Sequence, residues 1–181
     1  MTTSLATFDA LLEEVGRHGR KWMRLTAPQE AFLRRADPVL LWRGGNQIGK
    51  STALACDVVD FCRGAHLGDQ THPPPVRVMV LGPSWEQMEP LMRRIWEAAP
   101  HAELDPRNGY DPGRGITGKP ARLLFVVGPG KGSVVQFGTY EQGAKRLAGA
   151  TLHRIVMDEP PPEEIYAEAI PRVLRMQGHV R

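Results

Sequence analysis

Apolar residues near the start of the chain recur at intervals of three and four, which is the spacing of one face of a helix. Residues 5–18 carry five of them and are predicted to form an amphipathic helix. A second, short helix is expected to begin at Pro28 with Thr26 as its cap, and to end before Asp37. We therefore interpret residues 1–37 as an N-terminal helical arm.

From residue 38 onward, short apolar runs alternate with longer amphipathic segments. The runs predict strands, the first of which should be buried on both faces because it is wholly apolar; the strands are 39–42, 76–81, 122–127, 133–137 and 153–157. The glycine-rich segment 128–132 is expected to join two of them as a hairpin. Helices are predicted over 50–61, from 83 onward, and over 162–175 with a break or kink before Pro171. Residues 100–120, rich in Gly, Pro, Asp and Asn, are interpreted as an exposed, mobile loop.

This alternation predicts a three-layer α/β domain around a mainly parallel sheet. With 181 residues, of which 41% are hydrophobic, the chain can bury one sizeable core, so a single domain over 1–181 is expected, with the sheet and its helices in 38–181. Cys56 and Cys62 lie six residues apart on one predicted helix and are interpreted as small core residues rather than a disulfide or metal site.

Charge and hydropathy narrow the class of protein only slightly. The formal net charge of +3 permits contact with a polyanion without requiring it. No apolar run approaches 18 residues and no signal peptide is evident, so a soluble, cytosolic protein without membrane contact is expected.

The most specific motif lies between the first predicted strand and the helix after it. Gly44, Gly49, Lys50 and Ser51 match G-x-x-x-x-G-K-[ST], the phosphate-binding loop of nucleotide-binding proteins. Small residues let backbone N–H groups surround the β-phosphate, lysine reaches the β and γ oxygens, and the hydroxyl ligates Mg²⁺. ATP and Mg²⁺ are thus the expected cofactors. The predicted binding stretch consists of Arg43, Gly44, Gly45, Asn46, Gln47, Ile48, Gly49, Lys50, Ser51 and Thr52.

An acidic pair follows the last predicted strand. In such sites an aspartate after a buried strand belongs to the Mg²⁺ shell, and an adjacent glutamate can orient and deprotonate the attacking water. Asp158 and Glu159 are assigned these roles. Because kinases must exclude water, this glutamate favours hydrolysis over phosphate transfer. The predicted elements between the loop and the pair suggest a P-loop ATPase of the class with an additional strand and a catalytic glutamate.

Together these segments resemble the ATPase domain of the terminase large subunit of tailed bacteriophages. The likeness rests on segments spread over nearly the whole chain: Pro28-Gln29 with Phe32, the loop 44–51, Gly82-Pro83-Ser84, and 140–152 leading to Asp158-Glu159-Pro160. The last of these segments, from Tyr140 onward, is the most specific. The resemblance implies a motor that hydrolyses ATP to drive double-stranded DNA into a capsid through a portal protein. It also implies a terminase small subunit, a nuclease domain and a homo-oligomeric ring as partners, and the host cell cytoplasm as the location.

The resemblance carries further roles onto single residues. Gln29 matches the glutamine that reads adenine, although a glutamine at a helix start is often only solvated. Arg43 could reach the γ-phosphate, and Arg146 is the candidate for the arginine finger that completes a neighbouring subunit's site. A solvated arginine is the alternative for both. DNA contacts would be made to phosphates, with these candidates in or beside 100–120: Arg93, Arg94, Arg107, Arg114 and Lys119.

Two family features are expected to be absent from residues 1–181, namely the nuclease domain and the coupling motif, a strand ending in Ser or Thr residues that should lie beyond residue 181. DNA cleavage by this chain is accordingly not expected, and hydrolysis is expected to be weak. Two alternatives remain open: a helicase-like ATPase, for whose second lobe the chain has no room, and a catalytically silent nucleotide-binding or docking module.

Overall fold

The computed structural model describes residues 23–43, 48–68, 72–147 and 151–181, without the side chains of 143–146. The predicted helix over 5–18 lies outside these residues. The described elements follow one another as α1 (Ala27–Leu33), α2 (Lys50–Cys62), β1 (Arg77–Gly82), α3 (Trp85–Ala98), a 3-10 turn (His101–Glu103), β2 (Tyr110–Asp111), β3 (Gly115–Ile116), β4 (Arg122–Leu124), β5 (Val134–Thr139), α4 (Tyr140–Leu147), β6 (Arg154–Met157), α5 (Glu163–Leu174) and β7 (His179–Val180).

Five strands form the central sheet in the order β4-β5-β1-β6-β7. β1 pairs in parallel with β5 on one side and with β6 on the other, and β6 pairs in parallel with β7. The hairpin between β4 and β5 supplies the antiparallel pair, with Leu123 opposite Val135. This confirms the predicted α/β class with a mainly parallel sheet, and it also confirms the predicted hairpin.

The sheet separates two apolar cores because side chains alternate along each strand. Val78 and Val80 of β1 join the core formed with α2 and α3, whereas Met79 and Leu81 join the core formed with α4 and α5. All four are 2% exposed or less, and complete burial of such a side chain contributes about 1.5–3 kcal/mol. The structure therefore has the three layers that the alternation of helices and strands predicts.

A charged cluster is enclosed between α2 and the sheet. Asp57 accepts hydrogen bonds from Arg154 Nη1 and His66 Nε2, both at 2.8 Å, and Arg181 Nε lies 3.5 Å from it. His66 Nδ1 accepts from the Gly68 amide, so the ring proton is on Nε2. Burial opposes ionisation of Asp57, but Arg154, His66 and Arg181 outweigh it and hold its pKa well below the usual range. The cluster thus links α2 to β6 through a buried ion pair.

The first predicted strand, 39–42, differs most from expectation. It is represented by a single parallel bridge between Val39 and Val180, with the Leu40 amide donating to the Val180 carbonyl at 3.0 Å. Leu41 is 67% exposed and Val39 is 45% exposed, so burial on both faces was a wrong expectation. These side chains are exposed because the segment lies at the edge of the described sheet, where it has the short strand β7 as its partner on one side.

Other differences lie in the connections. Residues 100–120 are not simply an exposed loop, because they contain the 3-10 turn and the β2–β3 pair, and Leu104 and Ile116 are buried. α5 continues through Pro171 instead of breaking before it. The helix α4 and the strand β7 were not predicted. Cys56 and Cys62 are buried and form no disulfide, as expected.

Candidate nucleotide site

A cavity of about 550 Å³ lies where α2 begins and β6 ends. Its charged lining comes from Arg43, Lys50, Asp158, Glu159 and Arg181. The apolar lining includes Phe32 and Trp42, whose rings stack with centroids 4.9 Å apart. The cavity therefore brings together Lys50, the predicted phosphate lysine, and Asp158, the predicted metal-shell aspartate. These two residues lie 108 positions apart in sequence.

The start of α2 has the geometry that phosphate binding at a helix N-terminus requires. Gly49 is the N-cap in the left-handed region with φ of 80°, and its carbonyl accepts from the Ala53 amide at 3.1 Å. Lys50, Ser51 and Thr52 form the first turn, where backbone N–H groups have no partner within the helix and the helix dipole favours an anion. Gly44, Gly45, Asn46 and Gln47, the remainder of the predicted loop, lie outside the described residues.

Gln29 lies against the end of this loop, 5% exposed. Its Nε2 donates to the Gly49 carbonyl at 2.9 Å, while its Oε1 accepts from the Thr26 amide at 2.7 Å. A Cβ on Gly49 would lie 2.2 Å from Gln29 Nε2, so the close approach depends on glycine. Both ends of the amide are engaged with protein groups here. Reading adenine would require the side chain to exchange one of these bonds, and that role stays a prediction.

Asp158 follows β6 and is anchored to the neighbouring strand, since its amide donates to the Leu81 carbonyl at 2.9 Å. Burial and the adjacent Glu159 raise the pKa of the half-buried Asp158 carboxyl, while the ammonium of Lys50 opposes the shift. Lys50 is thus close enough to influence this carboxylate. A bound divalent cation would favour the ionised form further.

The backbone at Glu159 is strained. Its φ is 74°, a left-handed conformation that costs a non-glycine residue roughly 1–2 kcal/mol. The hydroxyl of Tyr140 donates to the carbonyl oxygens of Glu159, at 2.5 Å, and of Asp158, at 3.0 Å. Sequence reasoning did not single out Tyr140 as a site residue. The available signal was its position directly after β5, at the sheet edge where β6 also ends.

The donor set fits Mg²⁺. Ser51 in the first turn of α2 offers a hydroxyl and Asp158 offers a carboxylate, and Mg²⁺ is typically held by one or two such groups together with phosphate and water oxygens. Within the described residues, no cluster of three or more His, Cys, Asp or Glu side chains could form an all-protein metal site. Any Mg²⁺ bound by Ser51 and Asp158 would therefore depend on the phosphates of the nucleotide.

The remaining predicted residues are placed as follows. Arg43 and Ile48 are exposed on either side of the undescribed part of the loop, and Arg43 lines the cavity. Arg146 belongs to α4, but its side chain lies outside the described set. Among the DNA candidates, Arg94 pairs with Glu97 at 2.7 Å and Arg107 pairs with Asp105 at 2.7 Å. Arg114 and Lys119 are exposed, as is Arg93 on α3.

No helix within the described parts of the chain is both long and apolar enough to cross a membrane.

Comparisons with known proteins bear on the fold. Protein-family models give no match, and neither do curated protein sequences. A solved structure, a variant of the large terminase ATPase domain of Thermus phage P74-26, is similar to this chain with a TM-score of 0.63. The similarity covers 99% of this chain and 68% of the other, at 21% sequence identity. The chain therefore shares the α/β fold of that large terminase ATPase domain, with a mainly parallel central sheet.

Proposed function

We propose that this chain is the ATP-hydrolysing motor domain of a terminase large subunit, which powers the movement of double-stranded DNA into a capsid. The proposal is carried by one observation: Lys50 of the phosphate-binding motif and the Asp158-Glu159 pair line the same cavity. Strand order is compatible with the additional-strand class, because β7 lies between β6 and the segment before the loop.

In this mechanism the first turn of α2 and the ammonium of Lys50 hold the β- and γ-phosphates of ATP. Ser51 and Asp158 would hold Mg²⁺, which would supply positive charge to neutralise the phosphate oxygens. The carboxylate of Glu159 orients the attacking water and accepts its proton. Glu159 is exposed at the cavity, so it can meet a water molecule there.

Further roles are proposed for residues around this centre. Gln29 reads adenine once one of its present bonds is exchanged, and Arg43 contacts the phosphates from the cavity wall. Arg146, on α4, acts as the finger for a neighbouring subunit in a homo-oligomeric ring. The fold similarity motivates the proposed partners: DNA contacted through its phosphates, the portal protein, a small subunit and a nuclease domain, in the host cytoplasm.

Phosphate release separates this function from a silent docking module. We expect the wild type to release phosphate from Mg-ATP, Glu159→Ala to bind ATP but to lose at least about a hundredfold in kcat, and Lys50→Ala to lose binding. Glu163→Ala is the matched control, because Glu163 is an exposed acid four residues further on at the start of α5. A wild type that binds ATP yet releases no more phosphate than Glu159→Ala would support the docking module instead.

A further inference from the structure

We propose that Tyr140 is a positioning residue for hydrolysis: its hydroxyl fixes the backbone of Asp158 and Glu159 in the conformation that presents the Glu159 carboxylate to the attacking water. The proposal rests on the function proposed above and adds a residue to which that function assigned no role.

Tyr140 is held rigidly enough for this task. It is the first residue of α4 and directly follows β5, and its side chain packs in the core shared by α4, α5 and β6. The residue is 9% exposed. From this position the hydroxyl meets two successive carbonyl oxygens, those of Asp158 and Glu159. The Asp158 amide is bonded in turn to the Leu81 carbonyl of β1, so the acidic pair is held both from β1 and from the start of α4.

Without the hydrogen bond from Tyr140, Glu159 would leave its left-handed backbone conformation. A φ of 74° is unfavourable for any residue with a Cβ, and such conformations persist where surrounding contacts determine them. The Glu159 side chain is exposed, and its backbone sets the direction of the Cα–Cβ bond and hence the space that the carboxylate can reach. Loss of the hydroxyl bond would let φ relax to negative values and turn the carboxylate away.

The hydroxyl of Tyr140 is a donor in both contacts, because a phenol is protonated at neutral pH and a carbonyl oxygen can only accept. Misplacement of a reacting group by about 1 Å can reduce a rate by up to about a hundredfold. The bond is therefore expected to affect the chemical step rather than nucleotide affinity.

Tyr140→Phe tests this in kinetics, because it removes one oxygen and keeps the ring. We expect kcat for phosphate release to fall about tenfold or more, with KM and the Kd for ATP changed less than about twofold. In the Glu159→Ala background the same substitution should have no further effect on kcat. Tyr110→Phe is the control, since the Tyr110 hydroxyl donates to Glu89, which does not line the cavity. An unchanged kcat in Tyr140→Phe, or a loss of ATP binding, would overturn the proposal.

A thermal-unfolding cycle tests the backbone role without any ATPase activity. Glu159→Gly should raise Tm in the wild-type background because glycine accepts positive φ, and this increase should vanish in the Tyr140→Phe background, where φ has already relaxed. An equal increase in both backgrounds would refute the positioning role whatever the hydrolysis rates. By contrast, a wild type no more active than Glu159→Ala, with the Tm cycle as expected, would refute the proposed hydrolysis and leave the backbone contact established.

Discussion

Asp158 and Glu159 are adjacent in the chain but differ in surroundings and backbone conformation. Asp158 is half-buried beside Lys50 with a raised carboxyl pKa, whereas Glu159 is exposed with φ of 74°. Both features cost folding free energy. Locally unfavourable residues of this kind tend to occur at functional sites, where the cost is compensated elsewhere. In the proposed mechanism, the same end of β6 thus supplies one carboxylate for a cation and one for the attacking water.

Asp158→Asn should therefore stabilise the protein in the absence of Mg²⁺ and abolish its hydrolysis. Because the pKa of Asp158 is raised on folding, the native carboxyl keeps a proton after the unfolded one has lost it. The free energy of unfolding consequently falls as pH rises from the ordinary carboxyl pKa to the raised one, and the cost persists at neutral pH. An uncharged amide removes that cost. Urea unfolding at pH 7 should show a higher midpoint for the variant.

The difference between the two proteins should disappear at a pH below the ordinary carboxyl pKa, where neither state is ionised. Glu163→Gln serves as the control, because this exposed acid should leave the urea midpoint unchanged. A lower midpoint for Asp158→Asn at pH 7 would mean that the carboxylate is stabilising, and would contradict the electrostatic account of the site.

At the scale of elements, the sequence predicts those segments whose boundaries are set by local chemistry. α2 begins after a left-handed glycine, Gly49, and α3 begins after Ser84, whose Oγ accepts from the Gln87 amide at 3.2 Å. β1 and β6 are short apolar runs with partners on both sides, and their predicted positions agree with the structure to within one residue.

Segments that depend on distant contacts were not predictable in this way. α4 contains Gly143 and follows β5 without a break, so no local signal separates the two elements. β7 has two residues, too few for any periodicity, and forms because β6 offers it an edge. Residues 100–120 are polar overall, yet Leu104 forms an isolated antiparallel bridge with Phe125, which directly follows β4. In the site, spacing identified Lys50 and the acidic pair, whereas the Tyr140 contact required knowledge of which strands are neighbours.

Linkage of α2 to the sheet gives a prediction about stability. Asp57→Asn should lower the free energy of unfolding by about 3–5 kcal/mol, because it leaves the fully buried Arg154 guanidinium without its carboxylate. Arg94→Ala is the control: it breaks an ion pair whose side chains are 45% and 40% exposed, and should cost less than about 1 kcal/mol. Denaturant unfolding of the three proteins checks both values. A loss below about 1 kcal/mol for Asp57→Asn would show that the cluster is not a stabilising link.

The whole molecule brings chemically complementary groups to one edge of the sheet. β1, β5 and β6 are parallel neighbours, so their C-terminal ends present Gly82, Tyr140 and the Asp158-Glu159 pair side by side. Ligands of open α/β sheets bind at this edge. α4 begins there too and carries Arg146. In the proposed ring, a second subunit would receive that arginine.

Subunit mixing distinguishes a finger that acts between subunits from one that acts within its own. Arg146→Ala and Glu159→Gln should each be nearly inactive in phosphate release, because each lacks one necessary group. In an equal mixture, a productive interface needs Glu159 from an Arg146→Ala subunit and Arg146 from a Glu159→Gln neighbour. Random assembly makes about one interface in four productive, so the mixture should recover roughly a quarter of the wild-type rate if the finger acts in trans. A finger acting within its own subunit would give no recovery, since no subunit in the mixture carries both residues. The measurement is made at concentrations where the wild-type rate per subunit no longer rises, and adding either variant to itself is the control.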